Sequence, residues 1–379
     1  MAGRHYYATL AGVWSRYGWL DPTIPPRRTD YGSPTYEATL LNTGTYTPEA
    51  VLLDGAHDYN SSSVNSVTIP NGAHIVSKVI YGDITFAGSA LIEDCLLLGG
   101  AQAITSDNNL GILWCTNVRT GMAVIKDSII RPRTESDGRD CALGHDYHLE
   151  RCVLSGGVDG AGIYNTSGPN ANVNLYGNYI HDLAYDYPDR DHDDGTHNDP
   201  VQIQGGRFIN IQGNTINGTG HWMAGSSTYY NTNPSQDFGD WPLLMPVPHC
   251  PGNGILVNGN VQAVDSTVVI DNNVFRNCKA MFSVGTQGNN FQFTNNRFSS
   301  IDRPAKNVNG TVRNGVSLTF TSNEYWIRLA NKATYNNNII GLVSAGIITN
   351  TTNVWLDGAN AGVALAEPRA SGINNNNQA

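Results

Sequence analysis

The sequence predicts an all-β chain wound into a right-handed parallel β-helix, a solenoid preceded by an N-terminal capping or attachment segment. Three observations predict it. One ten-residue unit recurs along the chain, a small polar residue keeps a fixed place inside that unit, and the composition replaces charge with Asn, Thr, Ser and 41 glycines. Only 14% of the 379 residues are charged, against roughly 25% in an ordinary globular protein. Gly and Asn supply the positive φ angles of a turn-rich all-β chain. The regular Val, Ile, Leu and Phe positions separate it from a disordered polar one.

The unit reads apolar–x–apolar–x–polar–Asn/Ser/Cys–x–apolar. It starts at Ala90 (ALIEDCLLLG), Ala123 (AVIKDSIIRP), Tyr147 (YHLERCVLSG), Val173 (VNLYGNYIHD) and Ile209 (INIQGNTING). It returns at Val268 (VVIDNNVFRN), Phe291 (FQFTNNRFSS) and Leu318 (LTFTSNEYWI). The sixth position is Cys95, Ser128, Cys152, Asn178, Asn214, Asn273, Asn296 and Asn323, with steps of 33, 24, 26, 36, 59, 23 and 27 residues. The shortest steps suit one coil of three short strands and three turns. Such a coil cannot bury its own apolar face and must stack on its neighbours about 4.8 Å away. Alternation sends the first, third and eighth residues inward. The sixth then sits at an inward turn, where stacked amides bond to one another and to adjacent backbone. Cys95 and Cys152 fall two coils apart, near 10 Å, beyond disulfide reach, so thiols are expected.

A second strand series, GAGIYNTSG from Gly160, VQIQGG from Val201, GILVNG from Gly254 and MFSVGTQG from Met281, predicts another sheet of the same solenoid. An antiparallel sandwich is the rival. Asn71-Gly72, Asn217-Gly218 and Asn258-Gly259 offer hairpin signals for it, but a sandwich has no use for the polar column.

The unit places the solenoid at 66–345. Segment 1–65 lacks it and carries Tyr6, Tyr7, Trp14, Tyr17, Trp19 and the stretch PTIPPRR, which suits a cap over the first coil or an attachment arm. Residues 346–379 are expected to form a C-terminal cap and polar tail ending GINNNNQA.

With 22 basic against 32 acidic residues the formal charge is −10, no footing for nucleic acid or anionic lipid. The six cysteines lack CxxC spacing and read as buried small apolar groups. No run is long and apolar enough for membrane insertion, and Arg16 and Asp21 interrupt the start where a secretory h-region would lie.

Insertions mark the working face of a solenoid. The first, at 181–200, holds seven aspartates between Asp182 and Asp199, with His181, His192 and His197. Clustered carboxylates repel unless solvated, hydrogen-bonded or bridged by a cation. Asp189, Asp191 and Asp193 are therefore candidate ligands for Ca²⁺, beside the plainer reading of a hydrated acidic loop. The second insertion, at 219–253, carries Trp222, Tyr229, Tyr230, Phe238 and Trp241 with His221, Asp237 and Asp240. Aromatic platforms beside Asp suit stacking and hydrogen bonding of pyranose rings. Trp222, Tyr229, Tyr230, Trp241, Asp237 and Gln202 are the candidate glycan-binding residues, and a satellite core that holds the loop down is the alternative. His145, Asp146 and His148 are expected to lie near the acidic insertion if the coils align.

The run His197-Asn198-Asp199-Pro200-Val201-Gln202 enters a strand directly, and alternation is expected to bring His197, Asp199, Gln202 and Gln204 to one exposed groove edge. This H-x-D-x-x-Q stretch, within a repeat region of about 90–345, resembles right-handed β-helix proteins of actinobacteria and their phages, minor tail proteins and tail spikes among them. It is distantly similar to polygalacturonases and polysaccharide lyases. The tail-protein resemblance implies a homotrimer in the virion that binds host cell-surface polysaccharide and contacts other tail proteins through its N-terminal segment. The enzyme resemblance implies a polysaccharide-degrading activity, with Asp194, Asp199, His197 and Arg207 as candidate catalytic groups. For hydrolysis the pair Asp194 and Asp199 must be correctly spaced. The enzymes' further motifs (a second Asp pair, Gly-His-Gly, Arg-x-Lys) are absent. None of the five lysines lies in the acidic insertion, leaving Arg190 and Arg207 as the nearest bases for elimination. A secreted or cell-surface adhesin is the third reading.

Overall fold

The computed structural model describes residues 57–104, 110–115, 122–164, 172–186, 196, 198–218, 220–223, 254–257 and 267–276. It also describes Asn296 and the strand segments at 7–8, 14–15 and between 282 and 355. Three long sheets, of nine, nine and ten strands, are parallel throughout, and the chain visits them in turn as a right-handed parallel β-helix. In sheet I stand Ser66–Ile69, Asp83–Phe86, Leu110–Cys115, Arg139–Gly144, Ala161–Ile163, Val201–Ile203 and Ile255–Val257. Sheet II takes Ala73–Val76, Ala90–Glu93, Ala123–Lys126, Tyr147–Glu150, Asn172–Tyr176, Phe208–Gln212 and Thr267–Asp271. Sheet III takes Lys78–Tyr81, Leu96–Leu98, Ile129–Arg131, Val153–Leu154, Tyr179–Ile180, Thr215–Asn217 and Val274–Arg276. Among the described residues no helix is long and apolar enough to cross a membrane.

The apolar positions fall where alternation predicts. Ala123, Ile125 and Ile130 of one unit, and Ile209, Ile211 and Ile216 of another, are fully buried in one continuous core. Register keeps like positions stacked, as in Ala123 on Tyr147 and Tyr147 on Val173. Sheet III adds what the sequence reading missed. Its outward residues Val79, Leu96, Ile129, Val153 and Tyr179 are also buried and form a second apolar cluster.

The polar column lies at the corner between sheets II and III. Asn178, Asn214, Asn273 and Asn296 are each fully buried. Each Oδ1 accepts the backbone N–H of the rung before it, from Cys152 to Asn178 (2.9 Å), Asn178 to Asn214 (2.8 Å), Asn214 to Asn273 (2.9 Å) and Asn273 to Asn296 (2.9 Å). Each Nδ2 donates to a carbonyl of the earlier coil, those of Leu149, Leu175, Ile211 and Ile270. Ser128 does part of this work, its Oγ accepting the Cys95 N–H at 3.0 Å. Cys95 and Cys152 are free thiols with Ser128 between them, as expected. At this corner Ser77, Asp94, Asp127, Arg151, Gly177, Gly213 and Asn272 are left-handed, with φ between 48° and 67°. That conformation turns the chain from sheet II into sheet III within two residues. Arg151 holds it with a bidentate pair to Asp127 (2.8 and 2.8 Å) one rung below.

The strands run past both expected ends of the solenoid. His57–Asp58, inside 1–65, already pairs with Lys78–Val79, and Ile348–Thr351 and Val354–Trp355, inside 346–379, form the last rungs of sheets II and III. The eighth unit is corrected. Phe291–Thr294 pairs with Ile348–Thr351, not with the strand expected from Leu318. The reason is order of visit. A coil must cross sheet I before sheet II, and the sheet I partner of Phe282–Val284 is Ile327–Leu329, which follows Leu318 in the chain. Asn323 itself lies outside the described residues, as do Cys250 and Cys278.

Candidate binding site at the insertion corner

Both insertions leave the corner between sheets III and I, on consecutive coils, after Ile180 and Asn217. Their first residues continue the solenoid's pairing as a small parallel sheet, Leu183 on Gly220, Ala184 on His221 and Tyr185 on Trp222. Leu183, Ala184 and Tyr185 are buried, and Ala184 packs with Val158 and Met223 in a small apolar cluster. Trp222 is half-buried, its ring edge-on to Tyr185 at 4.6 Å and 74°. The two sequence expectations for these aromatics meet in one residue. Trp222 is held by packing and still presents part of its surface.

Beside it, His221 bridges two carboxylates, Nδ1 to Asp182 at 3.1 Å and Nε2 to Glu135 at 2.7 Å. Burial alone would lower the imidazole pKa, but the two hydrogen bonds and the two negative charges outweigh it and push it up to about 10. Burial would likewise raise Asp182, yet the hydrogen bond and charge of His221 hold it below the usual carboxylate range. Asp182 is itself left-handed at φ 49°, and its carbonyl accepts the Gly156 N–H at 2.9 Å. His181 stacks on Tyr179 at 4.1 Å with rings 13° from parallel.

The acidic insertion has a tied neck. Thr196 N–H donates to the Asp186 carbonyl (3.0 Å), and Asp186 N–H donates to Thr196 Oγ1 (2.9 Å). Thr196 Oγ1 donates to Asn198 Oδ1 at 3.0 Å, and buried Asn198 spans the carbonyls of Val158 and Ala184. Residues Asp189, Asp191, Asp193, Asp194 and His197 between and beside these ties lie outside the described residues, as do Tyr229, Tyr230, Asp237 and Trp241. Among the described residues no group of three or more His, Cys, Asp or Glu is placed to hold a metal ion. The Ca²⁺ expectation rests on residues outside them.

Asp199 corrects the expected groove edge. It is 1% exposed, its N–H donating to Asp159 Oδ1 at 2.7 Å, whereas Gln202 is half-buried and Gln204 exposed. The cause is parity. Positions 199 and 202 differ by an odd number, so a pleated strand turns them to opposite faces. Val201 and Ile203 are the core pair, and Asp199 shares their face. Arg207 lies over the ring of exposed Phe208 at 5.3 Å, at the corner between sheets I and II. His145, Asp146 and His148 lie away from the corner between sheets III and I at which the described ends of the acidic insertion leave and rejoin the coil. His145 pairs with Asp146 (2.7 Å) at the corner between sheets I and II, and His148 belongs to a sheet II strand. Burial lowers the His148 pKa despite its bond to Glu150 at 3.3 Å.

Glu135, Asp140 and Asp159 complete this corner and were not singled out from sequence. The signal for the last two was present, since Asp140, Asp159 and Asp199 each stand two residues before an inward sheet I residue, Ala142, Ala161 and Val201. No family model, curated protein or solved structure matches this chain.

Proposed function

We propose that this chain is a structural protein of a phage tail, a minor tail protein or tail spike, that binds host cell-surface polysaccharide at its insertion corner. In this reading it is a homotrimer in the virion, joined to other tail proteins through its N-terminal segment. One observation carries the glycan part: two long insertions start side by side on consecutive coils and hold Trp222 on Tyr185 next to the His221 clamp. A fixed aromatic surface flanked by polar groups is what a pyranose ring stacks and hydrogen-bonds upon. The resemblance of the His197–Gln202 stretch to phage β-helix proteins supports the tail assignment. The burial of Asp199 argues against the hydrolytic reading that depends on it.

Pull-down on purified cell-wall polysaccharide of an actinobacterial host tests the binding. Trp222→Ala should weaken it by about tenfold, a change of about 1.4 kcal/mol, with an unchanged thermal unfolding midpoint. Unchanged binding by the variant, together with absence of the chain from purified particles, would overturn the assignment.

A further inference from the structure

The insertion corner holds a second inward column. Ala142, Ala161 and Val201 are register partners, so Asp140, Asp159 and Asp199, each two residues earlier, lie one above another on consecutive coils. They are 1%, 3% and 1% exposed. Asp140 Oδ1 accepts the Asp159 N–H at 3.1 Å, and Asp159 Oδ1 accepts the Asp199 N–H at 2.7 Å. Asp140 and Asp159 thus each cap the backbone of the next rung, the reverse of the asparagine oxygens at the other corner, which accept from the rung before. The asparagine column also has Nδ2 donors that feed the next oxygen, Asn178 to Asn214 at 3.0 Å and Asn214 to Asn273 at 2.9 Å. A carboxyl can supply such a donor only when protonated.

Among the described residues, the groups around Asp140 and Asp159 do not neutralise them. Cys141 lies beside Asp140, and burial pushes its thiol up to about 12. Tyr147, from sheet II, is raised well above its ordinary value by burial and donates to the Gly162 carbonyl at 3.2 Å. The adjacent Arg139 guanidinium goes elsewhere, to Asp83 at 3.2 Å and to the carbonyls of Thr134 and Gln102. Asp186, at the insertion neck, adds a further acid. Among the described residues no basic side chain pairs with Asp140 or Asp159.

We propose that this column is a proton-loaded latch: at neutral pH at least one stacked carboxyl stays protonated, and its ionisation at higher pH loosens the corner and the neck of the acidic insertion. Burial raises Asp140 from 3.8 to about 7, and burial with the charges of Asp140 and Asp199 raises Asp159 well above its ordinary value. The sign follows. A carboxyl whose folded value is raised contributes most below its unfolded value of 3.8, and loses that contribution as pH rises through about 7. The neck feels the change because Asp199 directly follows Asn198, which spans the carbonyls of Val158 and Ala184. The latch stands whether or not the corner binds glycan.

The test is amide hydrogen exchange on the whole protein between about pH 5 and about pH 9, corrected for intrinsic rates. In the wild type, protection at Asp159, Gly160 and Asp199 should fall by about tenfold or more across that range. In Asp159→Asn, where the amide supplies the donor at every pH, protection should fall less than in the wild type, Asp140 still titrating. The wild type should also show a protonated-carboxyl C=O stretch in the infrared at neutral pH that Asp159→Asn diminishes. If Asp159→Asn does not fold, Asp140→Asn takes its place and the wild-type infrared band still decides. A missing band at neutral pH, or a variant with the same pH dependence as wild type, overturns the latch.

Discussion

Removing one rung of the asparagine column, Asn214→Ala, has a cost that can be worked out bond by bond. Asn214 Oδ1 accepts from the Asn178 backbone N–H (2.8 Å) and from Asn178 Nδ2 (3.0 Å). Its Nδ2 donates to the Leu175 carbonyl (2.9 Å) and to Asn273 Oδ1 (2.9 Å). After truncation Asn178 Nδ2 keeps the Leu149 carbonyl and Asn273 Oδ1 keeps the Asn214 backbone N–H. Two buried backbone groups lose these partners, the Asn178 N–H and the Leu175 carbonyl. Each costs about 1–3 kcal/mol, so the variant should lose about 2–6 kcal/mol. That is a large share of a total near 5–15 kcal/mol. Urea unfolding measures the loss, and hydrogen exchange at Asn178 locates it. Asn214→Ser is the control, because Ser128 already fills this column with an Oγ that accepts one N–H at 3.0 Å and donates to the Lys126 carbonyl at 2.6 Å. It should recover about half of the loss. A cost below about 1 kcal/mol with Asn178 protection unchanged would show that the column is ornament and that strand packing alone holds the coils.

Gly160→Ala should destabilise by about 1–3 kcal/mol or more, because its Cβ would stand 2.5 Å from the Pro200 carbonyl oxygen and 2.4 Å from Ile180. Gly72→Ala, whose Cβ meets nothing within 4 Å but whose φ is +77°, should cost only about 1 kcal/mol by thermal unfolding. Equal losses would deny the close approach at 160. The His221 clamp has its own pH signature. Its raised value means a contribution fully present below 6.5 and lost as pH rises through about 10, while the lowered Asp182 keeps its share until pH falls below 3.8. The His221 imidazole should therefore still be protonated at about pH 8 by NMR, and a midpoint near 6.5 would refute the clamp.

The core was legible because a parallel sheet repeats one alternation in every coil. The first, third and eighth residues of the unit fill the inner core, down to Val268, Ile270 and Phe275. The sixth residue was legible because only a small polar side chain fits an inward turn. The fifth was not. Its left-handed backbone is filled by Ser77, Asp127, Arg151 and Gly213 alike, and Arg151 gives no local hint of φ 53° because its support, Asp127, comes from another coil. The unit from Leu318 misled because a short match around Asn323 carries no information about which sheet the preceding strand occupies. At the site, sequence located both insertions but not their shared first strands, since Leu183 and Gly220 become neighbours only once the coils are stacked. Asp199 was read to the wrong face because one motif spanned both parities of a strand.

The positions of the insertions follow from the same column. Between sheets II and III the turn is two residues in most of the described coils, such as 94–95, 127–128, 151–152, 177–178, 213–214 and 272–273. One residue must be left-handed, and the next must meet the rung above and the rung below. An insertion there would break bonds on two neighbouring coils at once. Between sheets III and I the chain takes anything from Gly82 alone to all of 218–254, because nothing in that turn has to repeat. The inward aspartates survive this variation by belonging to the approach to sheet I rather than to the turn. Asp159 and Asp199 keep their register although the chain before them is short in one coil and long in the next. The corner can therefore carry variable loops on a constant seat, and the seat is made of groups that titrate. A surface site built there inherits a rigid base from the stacked strands and a pH response from the carboxyls beneath it. The asparagine corner is built differently, with an uncharged amide at each of its described rungs from Asn178 to Asn296.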